Sequence, residues 1–161
     1  MGGHQSSRQD SESWLTPPEI MKELGSFDLD PCCPPIMPWV TAPTMLTPLT
    51  DGLLVEWHGR VYMNPPWGRK SDVWLEKMAK HGNGIALIPA RTETRAFFKY
   101  VWEKADAVLF VRGRPSFYRP DGLQAKANCG VPIVLVAYGK DNVEVLAKCN
   151  LGICLRLNNN P

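Results

Sequence analysis

The run GIALIPA, residues 84–90, decides the fold class. Ile85, Ala86, Leu87 and Ile88 follow one another without polar alternation. A strand made of them has no solvated face, so it lies inside a sheet covered on both sides. On its N-terminal side, SDVWLEKMAKHG (71–82) has helical spacing, with Ser71 as the expected cap and Val73, Leu75 and Met78 as its apolar side. On its C-terminal side, TETRAFFKYVWEKA (92–105) is a second amphipathic helix, with Phe97, Phe98, Val101 and Trp102 apolar. Farther out, AVLFV (107–111) and VPIVLVAY (131–138) are again buried-strand runs. NVEVLAKC (142–149) reads as a short helix and GICLRL (152–157) as a last strand. Toward the other end, GRVYMN (59–64) and SFDLDP (26–31) read as strands. TPPEIMKELG (16–25) reads as a helix capped by Thr16, with Pro17 in its first turn and Gly25 ending it. Strands alternate with helices, which predicts an α/β domain with a mostly parallel sheet and helices on both faces.

In such sheets, ligands bind beyond the carboxyl ends of the strands, where the strand order switches. Three stretches end strands with functional groups: FDLDPC (27–32), YMNPPW (62–67) and IPART (88–92). All three are expected on one rim.

The chain has 161 residues, 44% hydrophobic and 21% charged, which suits one globular domain with a real core. The polar opening, residues 1–13, is expected to be a disordered tail, and residues 14–161 a single domain. No apolar run reaches the roughly 18 residues of a membrane span, and the opening lacks the apolar core of a signal peptide. No membrane partner is expected. The five cysteines (Cys32, Cys33, Cys129, Cys149, Cys154) are odd in number and show no CxxC spacing. Reduced thiols and a cytoplasmic location are therefore expected. The three histidines are scattered, so no metal site is expected.

The net charge of +2 says little, but its distribution says more. From residue 91 to 126 there are eight Lys/Arg (Arg91, Arg95, Lys99, Lys104, Arg112, Arg114, Arg119, Lys126) against four acids (Glu93, Glu103, Asp106, Asp121). This local excess suits a phosphate backbone, and it also suits an ordinary solvated face.

The stretch VYMNPPWG (61–68) carries the strongest chemical signal. Prolines cannot extend a central strand, so the chain is stiffened directly after Asn64. The Asn64 side chain and the Pro65 carbonyl form a rigid pair of acceptors that fits an NH₂ group. Trp67 is placed to stack on a planar ring. Taken alone, NPP is also a common turn. Asp30, ending its strand before Pro31 and Cys32, suits a ligand contact or a turn. Asp51, in TDGLLVEW (50–57), can accept from an exocyclic amine or simply form a turn. Phe117, in GRPSFYRP (113–120), is a stacking platform or a core residue. Cys32 and Cys33 have no neighbouring base, which argues against a thiol nucleophile.

Together, these stretches resemble a known family. NPPW resembles the [D/N/S]-P-P-[Y/F/W] motif of S-adenosylmethionine-dependent amino methyltransferases. TPPEI (16–20), DLDPC (28–32) and TDGLLVEW precede it in the order of the class whose cofactor half comes first. LIPARTETRAFF (87–98) and FVRGRPSF (110–117) are similar to the compact, Dam-like DNA N6-adenine methyltransferases of phages and prophages. The likeness spans about residues 14–138. It implies a compact or abbreviated Rossmann-like methyltransferase fold, S-adenosyl-L-methionine as cofactor, DNA as partner and a bacterial host cell. By position it implies that Asn64 and Pro65, with Pro66 stiffening the loop, grip the target N6 amine while Trp67 stacks on the base. Thr16, Pro17, Asp30, Pro31 and Cys32 would line the methionine end of the cofactor, and Asp51 would meet its adenine. Arg91, Arg114 and Phe117 would face the nucleic acid.

The chain also departs from the family pattern. DPCCPPIMP (30–38) stands where a glycine-rich loop is usual, and only twenty residues separate Pro31 from Asp51, leaving no evident ribose ligand. No segment is large enough for a separate target-recognition domain. A methyltransferase acting on RNA or a protein glutamine, and a non-catalytic nucleic-acid-binding relative, are the competing readings.

Overall fold

A computed structural model describes residues 14–159. The expected tail, residues 1–13, lies outside them. Among the described residues, seven strands form one sheet in the order β2-β1-β3-β4-β6-β5-β7. They are β1 (Leu29–Asp30), β2 (Thr44–Met45), β3 (Val61–Met63), β4 (Gly84–Pro89), β5 (Ala107–Val111), β6 (Ile133–Tyr138) and β7 (Gly152–Arg156). Four α-helices accompany them: α1 (Pro18–Leu24), α2 (Ser71–His81), α3 (Arg95–Phe97) and α4 (Lys140–Lys148). A π-helical turn, Phe98–Trp102, continues α3.

β4 is buried along its whole length, as GIALIPA requires, and lies between β3 and β6. The expectation of a mostly parallel sheet is corrected. β2, β1, β3 and β4 are parallel, but β6 runs antiparallel to both β4 and β5, and β7 runs antiparallel to β5. The antiparallel ladders are also the longer ones. Strands β4 and β6 are both buried throughout, one with a parallel neighbour and one without. An unbroken apolar run reports coverage of both faces and carries no information on direction.

The helices cover both faces. Ile20 and Leu24 of α1 share a core with Val143 and Leu146 of α4, against Leu87, Leu109 and Leu135 of the sheet. Trp74, Leu75 and Met78 of α2 share the opposite core with Phe97 and Val101, against Ile88, Val108 and Val136. Val73, expected on the apolar side of α2, is exposed; Trp74 takes the inward position. The same holds for Phe98, which is half exposed. Gly82 ends α2 in the left-handed region (φ 75°), and its N–H returns to the Met78 carbonyl.

Two expected caps are differently employed. Pro17, not Thr16, is the N-cap of α1, with no side-chain hydrogen bond. Ser71 lies inside α2 and donates to the Gly68 carbonyl at 2.7 Å. Arg60 ties the layers together. Its guanidinium donates to the carbonyls of Ser26 and Leu24 at the end of α1 and to Asn142 Oδ1 on α4, lying 4.1 Å from the Phe27 ring centre.

Because β1, β3 and β4 are parallel, their C-terminal ends emerge on one rim. The loops that follow them build the site.

Candidate active site

A cavity of about 650 Å³ opens at this rim. The loop after β1 supplies Pro31, Cys32, Cys33 and Pro34, and the turn after β2 supplies Thr47, Pro48, Asp51 and Gly52. The loop after β3 supplies Asn64, Pro65, Pro66 and Trp67, with Trp14, Arg69, Lys70 and Trp74 closing the wall. The structure thus brings together Asn64, Pro65, Pro66, Trp67, Pro31, Cys32 and Asp51 of the expected site. Thr16, Pro17 and Asp30 lie outside the cavity lining.

Asn64 is the best defined of these residues. Its Nδ2 donates to the Trp14 carbonyl at 3.1 Å and to Thr16 Oγ1 at 3.2 Å. A backbone carbonyl can only accept, so the amide orientation is unambiguous. Both amide hydrogens are therefore used, and Oδ1 makes no hydrogen bond among the described residues. Thr16 is held in turn by the Tyr62 hydroxyl. Tyr62 is 1% exposed, and burial raises its pKa far above the usual phenol value, so it remains a neutral donor or acceptor. The chain Tyr62–Thr16–Asn64 runs from the sheet core to the cavity wall. Thr16, expected against the cofactor, accepts a hydrogen bond from Asn64 and lies outside the cavity lining.

Trp67 stands edge-on to Phe117, with ring centres 5.4 Å apart and planes at 90°. Phe117 is 2% exposed and belongs to the core. It supports Trp67 from behind and offers no free face for stacking.

Asp30 anchors the loop after β1. Its Oδ1 accepts from Cys32 N–H at 3.1 Å and its Oδ2 from Thr41 Oγ1 at 2.6 Å. Burial pushes its pKa up to about 6, against the two hydrogen bonds that lower it. Burial, reinforced by the Asp30 charge, also raises both neighbouring thiols, Cys33 to about 12. Both shifts favour the neutral thiols.

Asp51 sits at φ 53°, the left-handed region, and its Oδ1 accepts from Leu53 N–H at 3.0 Å. Its Oδ2 has no hydrogen bond among the described residues. The following residue must be glycine because of a close approach: a Cβ on Gly52 would lie 2.3 Å from the Pro31 carbonyl oxygen. The two loops therefore abut as one wall. Lys77, on α2, holds that wall from behind by donating to the carbonyls of Gly52, Leu53 and Val55. Trp57 adds a bond from Nε1 to the Gly52 carbonyl at 2.8 Å.

The remaining candidates lie elsewhere. Arg91 lines a second cavity, of about 310 Å³, after β4. Arg114 is exposed in the loop between β5 and β6 and donates to the Gly130 carbonyl. Sequence reasoning missed Trp14, Tyr62, Lys77, Arg69, Lys70 and Trp74. Tyr62 did carry a signal, because a tyrosine inside a buried strand needs a partner for its hydroxyl. The basic pair Arg69-Lys70 directly after NPPWG was also legible. Among the described residues, no group of three or more His, Cys, Asp or Glu is placed to hold a metal. No helix among them is long and apolar enough to cross a membrane.

The loop after β3 thus presents an oriented amide acceptor, two prolines and a tryptophan at the rim of the sheet. A family model described as DNA N-6-adenine-methyltransferase (Dam) matches residues 3–150, most of the chain. The chain belongs to the Dam family. Membership implies, in general terms, DNA adenine N6-methylation with DNA as the substrate. Comparison with curated proteins gave no match, and neither did comparison with solved structures. In this Dam-family chain the NPPW loop is thus braced by a buried tyrosine–threonine pair from below and by Phe117 from behind.

Proposed function

We propose that this chain transfers a methyl group from S-adenosyl-L-methionine to the N6 amine of a flipped-out adenine in DNA. The observation that carries the reading is the Asn64 amide, whose two hydrogens are occupied and whose Oδ1 is left to accept. The strand order supports a Rossmann-like methyltransferase fold in which the antiparallel β6 is inserted between β4 and β5.

The cavity suits the cofactor. At about 650 Å³ it falls within the range of small-molecule and cofactor sites. Its lining mixes flat apolar walls (Pro31, Pro48, Trp74) with an Asp51 oxygen that can accept from an adenine amine. Cys32 and Pro31 would flank the methionine end, with Asp30 holding their loop in place. When bound, S-adenosyl-L-methionine supplies an electrophilic methyl group on sulfur.

The protein's own part is orientation and electrostatics. An adenine amine is a weak nucleophile because its lone pair is delocalised into the ring. Asn64 Oδ1 and the Pro65 carbonyl, accepting its two hydrogens, draw the nitrogen toward a tetrahedral form and return electron density to it. Pro65 and Pro66 keep the two acceptors from drifting, which matters because small misplacements of reacting groups are costly. Trp67 supplies the stacking face that offsets the lost base stacking, a cost of a few kcal/mol for a flipped base.

The test is methyl transfer from labelled cofactor to duplex DNA, single-stranded DNA, RNA and protein. Label is expected in DNA, on N6 of adenine. Asn64→Ala is expected to abolish turnover with cofactor affinity nearly unchanged. Full activity of that variant, or label confined to RNA or protein, would overturn the reading.

A further inference from the structure

The second cavity, of about 310 Å³, opens beside the first, and Arg69 lines both. Its floor is apolar: Leu75 from α2, Ile88 and Pro89 from the end of β4, and Phe97 from α3. Its rim carries Arg69, Arg91 and Arg95. All three arginines are exposed and form no ion pair among the described residues, although Asp72 also lines the cavity. Unpaired guanidinium groups around a concave apolar floor match one ligand chemistry, a phosphate joined to a flat ring. The position matters as much as the chemistry, since Gly68 and Arg69 directly follow the NPPW loop that would hold the target base.

Resting on the function proposed above, we propose that this cavity takes the nucleotide next to the flipped adenine in the same strand. Arg69, Arg91 and Arg95 hold its phosphate, and the apolar floor receives its base. The cavity therefore sets the path of the strand, and the shape of its floor biases which base can neighbour the target. A domain without a separate recognition module can in this way still discriminate sequence.

The full chain and its Arg91→Gln/Arg95→Gln variant are compared for binding to a duplex across a salt series. Each lost phosphate contact on a duplex lowers the slope of log affinity against log salt by about 0.9, so the double variant, which weakens the hold on one shared phosphate, should lose up to about 1. Cofactor affinity should be unchanged. Arg91→Lys/Arg95→Lys, which keeps the charge, should stay close to the unaltered slope. In a strand holding one adenine, a neutral methylphosphonate beside that adenine should weaken the unaltered protein and weaken the double glutamine variant, which keeps only Arg69, much less. An unchanged slope, an equal effect of methylphosphonate on both proteins, or loss of cofactor binding together with DNA binding would overturn the proposal, as would tighter binding of RNA of the same sequence. Active methyl transfer with an unchanged slope would remove the subsite and leave the function standing. A lowered slope in a protein that transfers no methyl to DNA would keep the phosphate site and remove the function.

Discussion

Replacing Thr16 by valine isolates the support of Asn64 from Asn64 itself. The two side chains have nearly the same shape, so packing is kept and only the hydroxyl is lost. Two partners are affected. The Tyr62 hydroxyl, in a residue 1% exposed, loses the group it is paired with. An unsatisfied buried polar group costs about 1–3 kcal/mol. Asn64 loses one of two acceptors but keeps the Trp14 carbonyl. Thr16→Val should therefore destabilise the protein by about 2–3 kcal/mol, and at about 2–4 °C per kcal/mol the melting temperature falls by roughly 5–10 °C. Tyr62→Phe should cost less, about 1 kcal/mol, because Thr16 still receives a hydrogen from Asn64. The double variant decides the matter. With both hydroxyls gone there is no orphaned phenol, so its cost should fall short of the sum by at least about 0.5 kcal/mol. Urea denaturation of the four proteins measures this coupling. In the same series, methyl transfer by Thr16→Val should drop between roughly tenfold and a hundredfold with cofactor affinity retained, because Asn64 is freer to turn. Additive stability losses would refute the chain from Tyr62 to Asn64. Unimpaired turnover in Thr16→Val would refute its role in orienting the acceptor.

Two further predictions concern the loops around the cavity. The folded protein raises Asp30 from 3.8 to about 6, so the ionised carboxylate is the form disfavoured by folding. Its contribution to stability is fully present below pH 3.8 and is lost as pH rises through about 6, a total of about 3 kcal/mol. Asp30→Asn should flatten the change in stability between pH 4 and pH 6 measured by urea titration, and an unaltered pH profile would rule out the buried carboxylate as its source. Lys77→Met removes the ammonium that binds three carbonyls of the turn behind Asp51. It should cost about 2 kcal/mol and weaken cofactor binding more than DNA binding, as read by calorimetry; equal effects on the two ligands would argue against Lys77 acting through that wall.

Much of the architecture was legible in the chain. GIALIPA, AVLFV and VPIVLVAY became β4, β5 and β6, and the amphipathic segments on either side of β4 became helical, because burial on both faces or on one stripe leaves a direct mark on residue order. The two-residue strand β2 was missed inside a proline-rich tract, where it pairs with β1 at the edge of the described sheet. The direction of β6 and β7 was missed for a different reason: direction depends on how the chain returns, and the stretch 112–132 returns without a helix. The NPPW loop was legible because proline restricts the backbone locally, whatever surrounds it.

The sequence alone determined which residues stiffen the acceptor loop, which runs are buried and which family the motifs resemble. All of these follow from neighbours in the chain. Tertiary structure alone decided what those residues face. It paired Thr16 with Asn64, set Phe117 behind Trp67, gave Asp30 to its own loop and brought Trp14, fifty residues away, onto the Asn64 amide. The physical reason is that a hydrogen-bonding group takes whichever partner folding places within about 3 Å, and residue order does not encode that distance.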